Sequence, residues 1–363
     1  SRVNGGYYNT IYGSWGSISG GRYNKVYSYC AQVGGGKNNS VYGYTAYVAG
    51  GEDNKAYGYC SSVGGGDSNS AYYSWSSIGG GREGLTYATY TFVAGGYDNS
   101  VYASWSAIAS GSQNKVYTTY SGINGGAENT IYGYCSSIIG GNDARLYSSY
   151  VTVVNANENN AYGTYSTLQG YNNYLNGYSS SVIGGSDSTA LGAYNTVRGA
   201  TNSYTDSAYS SIGGGADNTI TGSTYAVIGG GSENTIMKAA AAGIAGGQNN
   251  FIAYGYSAAV LGGHNNKIGS YLFEEEILTT EPGSYSVIIG GTDNTVYGNY
   301  HTLGGGQLNT ISSNIKKKRN SDSAYSTLYG GVENTVEGTG TTLLGGNFNQ
   351  ATGQKFATVV GGY

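Results

Sequence analysis

The sequence predicts an all-β chain: a parallel β-solenoid, or β-roll, of about 22 coils with 15-residue repeats. Three observations predict it. First, an apolar residue, one further residue and then Gly-Gly recurs down the whole chain, and from Val3 to Leu168 the interval never changes. Second, each interval holds an Asn followed two residues later by a small or apolar residue, as in Asn24/Val26, Asn39/Val41 and Asn129/Ile131; Asn fills this place in 18 of 22 intervals, the exceptions being Gly84, Ala144, Ser188 and Ser203. Third, Pro occurs once in 363 residues while Gly occurs 66 times. A stacked ladder needs each N–H, which Pro lacks, and tight corners need the positive φ that Gly and Asn tolerate.

The elements of one unit follow in order. The anchors begin Val3, Ile18, Val33, Val48 and Val63 and keep step to Leu168. They continue as Val182, Val197, Ile212, Val227, Ile244, Val260, Ile288, Leu303, Leu328, Leu343 and Val359. So short a unit cannot hold a helix, a strand and their turns. It suits two strands of about four to five residues joined by two tight turns. Alternation along Tyr59-Cys60-Ser61-Ser62-Val63 puts Ser61 and Val63 inside and Cys60 and Ser62 outside. The core is then a large anchor with a small partner two residues earlier: Ala31/Val33, Ala46/Val48, Ser61/Val63, Ser76/Ile78 and Ser106/Ile108. So thin a core buries little per coil, and stability must come from stacking many coils. The Asn row is expected to hydrogen-bond from coil to coil rather than to hold a metal, since it comes without clustered carboxylates.

The phrases Ser180-Ser181-Val182-Ile183-Gly184-Gly185, Ser210-Ser211-Ile212-Gly213-Gly214-Gly215 and Ser286-Val287-Ile288-Ile289-Gly290-Gly291 carry a resemblance. So do Asn294-Thr295-Val296-Tyr297-Gly298 and Asn334-Thr335-Val336-Glu337-Gly338. They resemble the head repeats of trimeric autotransporter adhesins of the YadA type, and still more the GGxxNTxxGxYSxVxGG arrays of phage tail-fibre and surface-fibre proteins. The resemblance covers essentially the whole chain. It implies a left-handed parallel β-roll, usually a homotrimer, that presents an adhesive or spacer rod at an extracellular, cell or virion surface. This chain differs from the adhesin heads in having coils one residue longer.

Two stretches are expected, 1–167 regular and 168–363 irregular. The regular stretch carries an aromatic row. Tyr follows the second-strand apolar position in eleven consecutive coils, at Tyr12, Tyr27, Tyr42, Tyr57, Tyr72, Tyr87, Tyr102, Tyr117, Tyr132, Tyr147 and Tyr162. These point outward, and at a rung spacing near 4.8 Å the row runs roughly 50 Å. A second outward row carries Trp15, Cys30, Thr45, Cys60, Trp75, Tyr90, Trp105, Tyr120, Cys135, Tyr150 and Tyr165. Three uses are open for such surfaces: packing against neighbouring copies in a homotrimer or fibre, an exposed stack that stabilises the sheet, or a platform for a cell-surface glycan, a receptor or another flat ligand.

The irregular stretch carries insertions at about 269–284 and about 312–324, in the same turn of their coils. The first holds Glu274, Glu275, Glu276 and Glu281; the second holds Lys316, Lys317, Lys318 and Arg319. The two sets either pair or are solvated separately, and exposed ion pairs are weak.

Other classes are excluded by composition or expected to be absent. With 16 Lys+Arg against 20 Asp+Glu, nothing supports nucleic-acid binding, which draws affinity from basic residues on phosphates. No apolar run is long enough for a membrane-spanning helix, so no membrane insertion is expected in this segment. Three Cys do not make a disulfide scaffold, and Cys30 and Cys60, two coils apart, are too distant to pair. His264 and His301, the only histidines, are expected at the surface. Gly-rich strings recur in every coil and so serve turns rather than phosphate. The chain is expected to be no enzyme and to use no cofactor or metal. Both ends cut through the repeating unit, so the chain reads as processed or as part of a longer one.

Overall fold

The computed structural model of the chain describes residues 1–274, 277–281, 283–312, 325–352 and 356–362, with 270–274 and 277–281 as backbone alone. It forms two compact units, Ser1–Asn173 and Tyr174–Tyr363. Each is an all-β parallel β-solenoid, about 22 coils in all, and no helix occurs among the described residues.

In the first unit, the coil from Ala31 to Thr45 represents the rest. Gln32–Val33 pairs in parallel with Ser17–Ile18 below and Tyr47–Val48 above. Ser40–Val41 pairs likewise with Lys25–Val26 and Lys55–Ala56. A third contact line runs through single bridges, Arg22 to Lys37 to Glu52. In this coil the strands are thus two residues long, not the four to five expected, whereas Ser137–Asn142 and Thr152–Asn157 run to six. The reason lies in the corners. Gly36 (φ 87), Asn38 (φ 56) and Thr45 (φ 53) are all left-handed, and the strands of this coil stop short of each of them. At Gly36 this is absolute, because a Cβ would stand 2.1 Å from the Gly51 carbonyl oxygen.

Left-handed non-glycine residues cost roughly 1–2 kcal/mol each, and every regular coil has at least two. Their amides are used: Asn38 donates to the Arg22 carbonyl at 2.9 Å and Thr45 to that of Tyr29 at 3.1 Å. Other amides of the coil donate the opposite way, Gln32 to Ala46, Lys37 to Gly51 and Tyr42 to Ala56, at 2.8–3.0 Å. Each coil is bonded to both neighbours.

The interior matches the expected pairing of large and small residues. Ala31 with Val33, Ala46 with Val48 and Ser61 with Val63 are buried, and Val26, Val41 and Ala56 face them, also buried. The Asn row lies inside as well. Asn39 donates from Nδ2 to the carbonyls of Gly35 and Gly51, both at 2.9 Å, and its Oδ1 accepts the amide of Asn54 at 2.9 Å. Each Asn therefore closes its own glycine corner and ties it to the next coil.

The second unit keeps the same ladders with altered coil lengths. One anchor shifts by a residue: Ile228, not Val227, pairs with Ile212 and Ile244 and is buried, while Val227 is 47% exposed. The run Gly229-Gly230-Gly231 lets both residues satisfy the apolar–x–Gly-Gly rule, and a one-residue slip reverses the face. The coils here are one residue longer, as the step from Asn218 to Asn234 shows. The added residue enters the corner after the second strand, where Thr235–Met237 is three residues long and both Lys238 (φ 48) and Ala241 (φ 53) are left-handed.

The same corner takes the first insertion, which is an antiparallel hairpin of Ser270–Glu274 and Ile277–Glu281. The roll resumes beyond it, with Val287–Ile288 paired to Ala259–Val260. The proposed pairing of Glu274, Glu275 and Glu276 with Lys316, Lys317, Lys318 and Arg319 lies outside the described residues, Glu274 being described by its backbone alone.

His301 is a further correction. It is wholly buried, at the small-partner position two residues before Leu303. Elsewhere a serine there accepts an amide from the next coil, as Ser121 Oγ accepts from Ser136 at 3.1 Å. His301 takes over that task, its Nδ1 accepting the Ser326 amide at 3.2 Å. Its Nε2 has no hydrogen-bond partner among the described residues. His264, by contrast, is exposed as expected.

Candidate functional site

The outward row of the first unit is positioned by the second-strand ladder. Tyr42 follows Val41, whose side chain is locked in the core, and its amide is bonded to Ala56. Repetition coil after coil then sets one ring directly over another. All ten steps from Tyr12 to Tyr162 are stacked, with ring centroids 4.4–5.4 Å apart and planes within 11° of parallel. The rung spacing of a sheet matches the contact distance of aromatic rings, so a row of Tyr stacks without distortion.

The row is partly covered. Tyr12 is 66% exposed, most of the others are near 40%, and Tyr57, Tyr72 and Tyr87 are half-buried. Burial and the flanking phenols of Tyr42 and Tyr72 push the Tyr57 phenol up from its ordinary value. Burial with Tyr102 and Tyr132 does the same at Tyr117. The ring faces are covered by one another, and what meets solvent is a band of ring edges tipped with hydroxyls.

Trp15, Trp75 and Trp105 also lie outward and exposed, but by a different device from the one expected. Their row is a corner of left-handed residues (Trp15 φ 58, Trp75 φ 57, Trp105 φ 60) rather than the outer face of a strand. Tyr90 stacks on Trp105 at 4.3 Å, while its centroid lies 6.4 Å from that of Trp75. Cys30, Cys60 and Cys135 occupy the same corner as half-buried free thiols, and Cys60 Sγ lies 2.9 Å from Thr45 Oγ1.

Sequence reasoning missed two further stacks. Tyr29, Tyr44 and Tyr59 stack at 5.4 and 5.5 Å in the first unit. Tyr194, Tyr209 and Tyr225 stack at 4.7 and 5.0 Å in the second, along its left-handed corner. The signal for the latter was present: Tyr194 and Tyr209 stand where Tyr150 and Tyr165 stand in their own coils, three residues before the anchor.

A few charged groups pair locally. Lys37 contacts Glu52 and Arg145 bonds Asp143 at 2.8 Å, all at the surface. Among the described residues, no three His, Cys, Asp or Glu side chains gather as a metal-holding group, and no helix is long and apolar enough to cross a membrane. No family model matches the chain, and no curated protein matches it.

Proposed function

We propose that the chain is a non-enzymatic structural element of an extracellular fibre, an adhesin head or a phage tail or surface fibre, and that its tyrosine ladder is where copies of the chain meet. The observation that carries this reading is the uninterrupted Tyr12–Tyr162 stack on one side of the first unit. A β-solenoid supplies length and rigidity from repetition, and long exposed aromatic bands mark interfaces more often than bare surface. The extracellular setting and the homotrimer rest on the resemblance to adhesin heads and fibre arrays.

The ladder's geometry disfavours the glycan-platform alternative. A sugar stacks on an open ring face, and here each interior face is taken by the next ring. A self-assembling filament subunit stays within the favoured reading, as another way for copies to meet.

The test is Tyr42→Lys with Tyr102→Lys, measured by sedimentation velocity. Lysine is accommodated outward in this roll at Lys25, Lys55 and Lys115, so the fold should persist, as circular dichroism would verify. Assemblies of the native chain are expected to fall to single chains. Unchanged assembly of the folded variant would refute the ladder interface, and binding on a glycan array that the variant loses would favour the platform instead.

A further inference from the structure

We propose that the tyrosine ladder is a site of oxidative cross-linking, at which a one-electron oxidant of the peroxidase or photo-oxidant class joins tyrosines of adjacent coils into dityrosine.

Three features of the ladder lead there. Adjacent rings are at or near carbon–carbon contact, with centroids 4.5 Å apart at Tyr27–Tyr42, 4.6 Å at Tyr72–Tyr87 and 4.4 Å at Tyr147–Tyr162. In a single chain, before copies meet, the ring edges are open to solvent, at 38% exposure for Tyr42 and Tyr102, so a diffusible oxidant can reach them and water can take up the proton. Burial and neighbouring phenols push the Tyr57 and Tyr87 phenols up from their ordinary value, so their oxidation releases a proton as well as an electron. Each ladder tyrosine has its partner in the next coil of the same chain rather than on another molecule.

The atoms and electrons balance. Each of two neighbouring rings gives one electron to the oxidant and its phenolic proton to water, which leaves two tyrosyl radicals. The radicals couple at carbons ortho to their oxygens, forming one C–C bond. Each ortho hydrogen then moves to the oxygen of its own ring and restores the phenol. The pair has lost two hydrogens, as two protons and two electrons, and the oxidant is reduced by two electrons. The rings must turn from face contact to edge contact, a rotation about the soft terminal torsion that their exposed tips permit. The product staples one coil to the next.

The experiment treats the folded chain, diluted until it sediments as a single chain, with photoexcited ruthenium trisbipyridine and persulfate. It reads dityrosine fluorescence in the single-chain band of a denaturing gel and maps the joined peptides by mass. The expected links join ladder tyrosines one coil apart, each product two hydrogens lighter than its parts, with a yield per chain unchanged over a hundredfold dilution. Tyr47 and Tyr73, which are exposed and have no stacked ring partner among the described residues, serve as internal references and should link far less. Tyr87→Phe keeps the ring and removes the phenol, so links to Tyr72 and Tyr102 should vanish while the other steps persist. Links spread evenly over exposed tyrosines, links found only between chains, or the absence of dityrosine would each overturn the proposal.

Discussion

Asn54 carries more of its coil than any apolar neighbour of its size. Its side chain holds the carbonyls of Gly50 and Gly66 and the amide of Asn69, all in or beside the core. Asn54→Ala leaves these three groups without their partner, and a stranded buried polar group costs about 1–3 kcal/mol. We expect a loss of about 3 kcal/mol, read as faster hydrogen exchange in the Lys55 and Asn69 coils. A change below about 0.5 kcal/mol, the least that one net hydrogen bond contributes, would mean the row is decorative. His301 makes the complementary case with charge. Burial lowers its pKa from 6.5 to about 4, and protonation would also turn the Nδ1 acceptor of the Ser326 amide into a donor. Between those values the unfolded chain binds more protons than the folded one, so stability rises with pH across that window and is lost as pH falls through it. The shift corresponds to about 3 kcal/mol. His301→Ser, the residue found at this position in the neighbouring coils, keeps an acceptor and should abolish that dependence in acid unfolding curves. An unchanged profile would contradict the assignment.

At the scale of the element, the ladder is a stack in which each interior ring has two partners. Stacked pairs contribute about 0.5–1.5 kcal/mol beyond simple burial. Tyr87→Ala breaks the contacts at 4.6 and 5.2 Å and should destabilise its region by about 1–3 kcal/mol, whereas Tyr87→Phe should change it by less than about 0.5 kcal/mol. Equal effects of the two substitutions on local hydrogen exchange would show that the hydroxyl rather than the ring matters. The ladder itself was legible in the sequence, because a constant period and a fixed place after the apolar residue leave only one geometry. The strand lengths were not. Alternation predicts faces correctly but cannot see that residues such as Thr45 and Trp75 turn left-handed, since nothing in Thr or Trp favours that conformation. Only the ladder bonds of their amides impose it. The expectations for Val227 and His301 failed for related reasons. A triple glycine fits two registers, and a histidine looks polar until its phase against Leu303 is counted.

For the molecule as a whole, stability is a sum over coils and their contacts, so no single coil is indispensable, and the second unit tolerates change in the corner after its second strand. That corner accommodates an added residue in the coil of Lys238 and a whole hairpin after Ile268 without loss of the ladders on either side. Insertions are absorbed where the backbone already leaves the sheet, whereas the opposite glycine corner, packed against the next coil's carbonyls, loses one residue after Leu168, where Gln169 and Gly170 pair with Val154 and Ala156. One surface, the tyrosine band, connects this repetitive frame to the proposed function, in which copies of the chain meet along it. The mass of the particle in solution, by light scattering over a wide range of dilution, decides whether they do. The expected result is an assembly of several 37.4 kDa chains, three if the resemblance to adhesin heads holds. A mass of one chain at every concentration would contradict it.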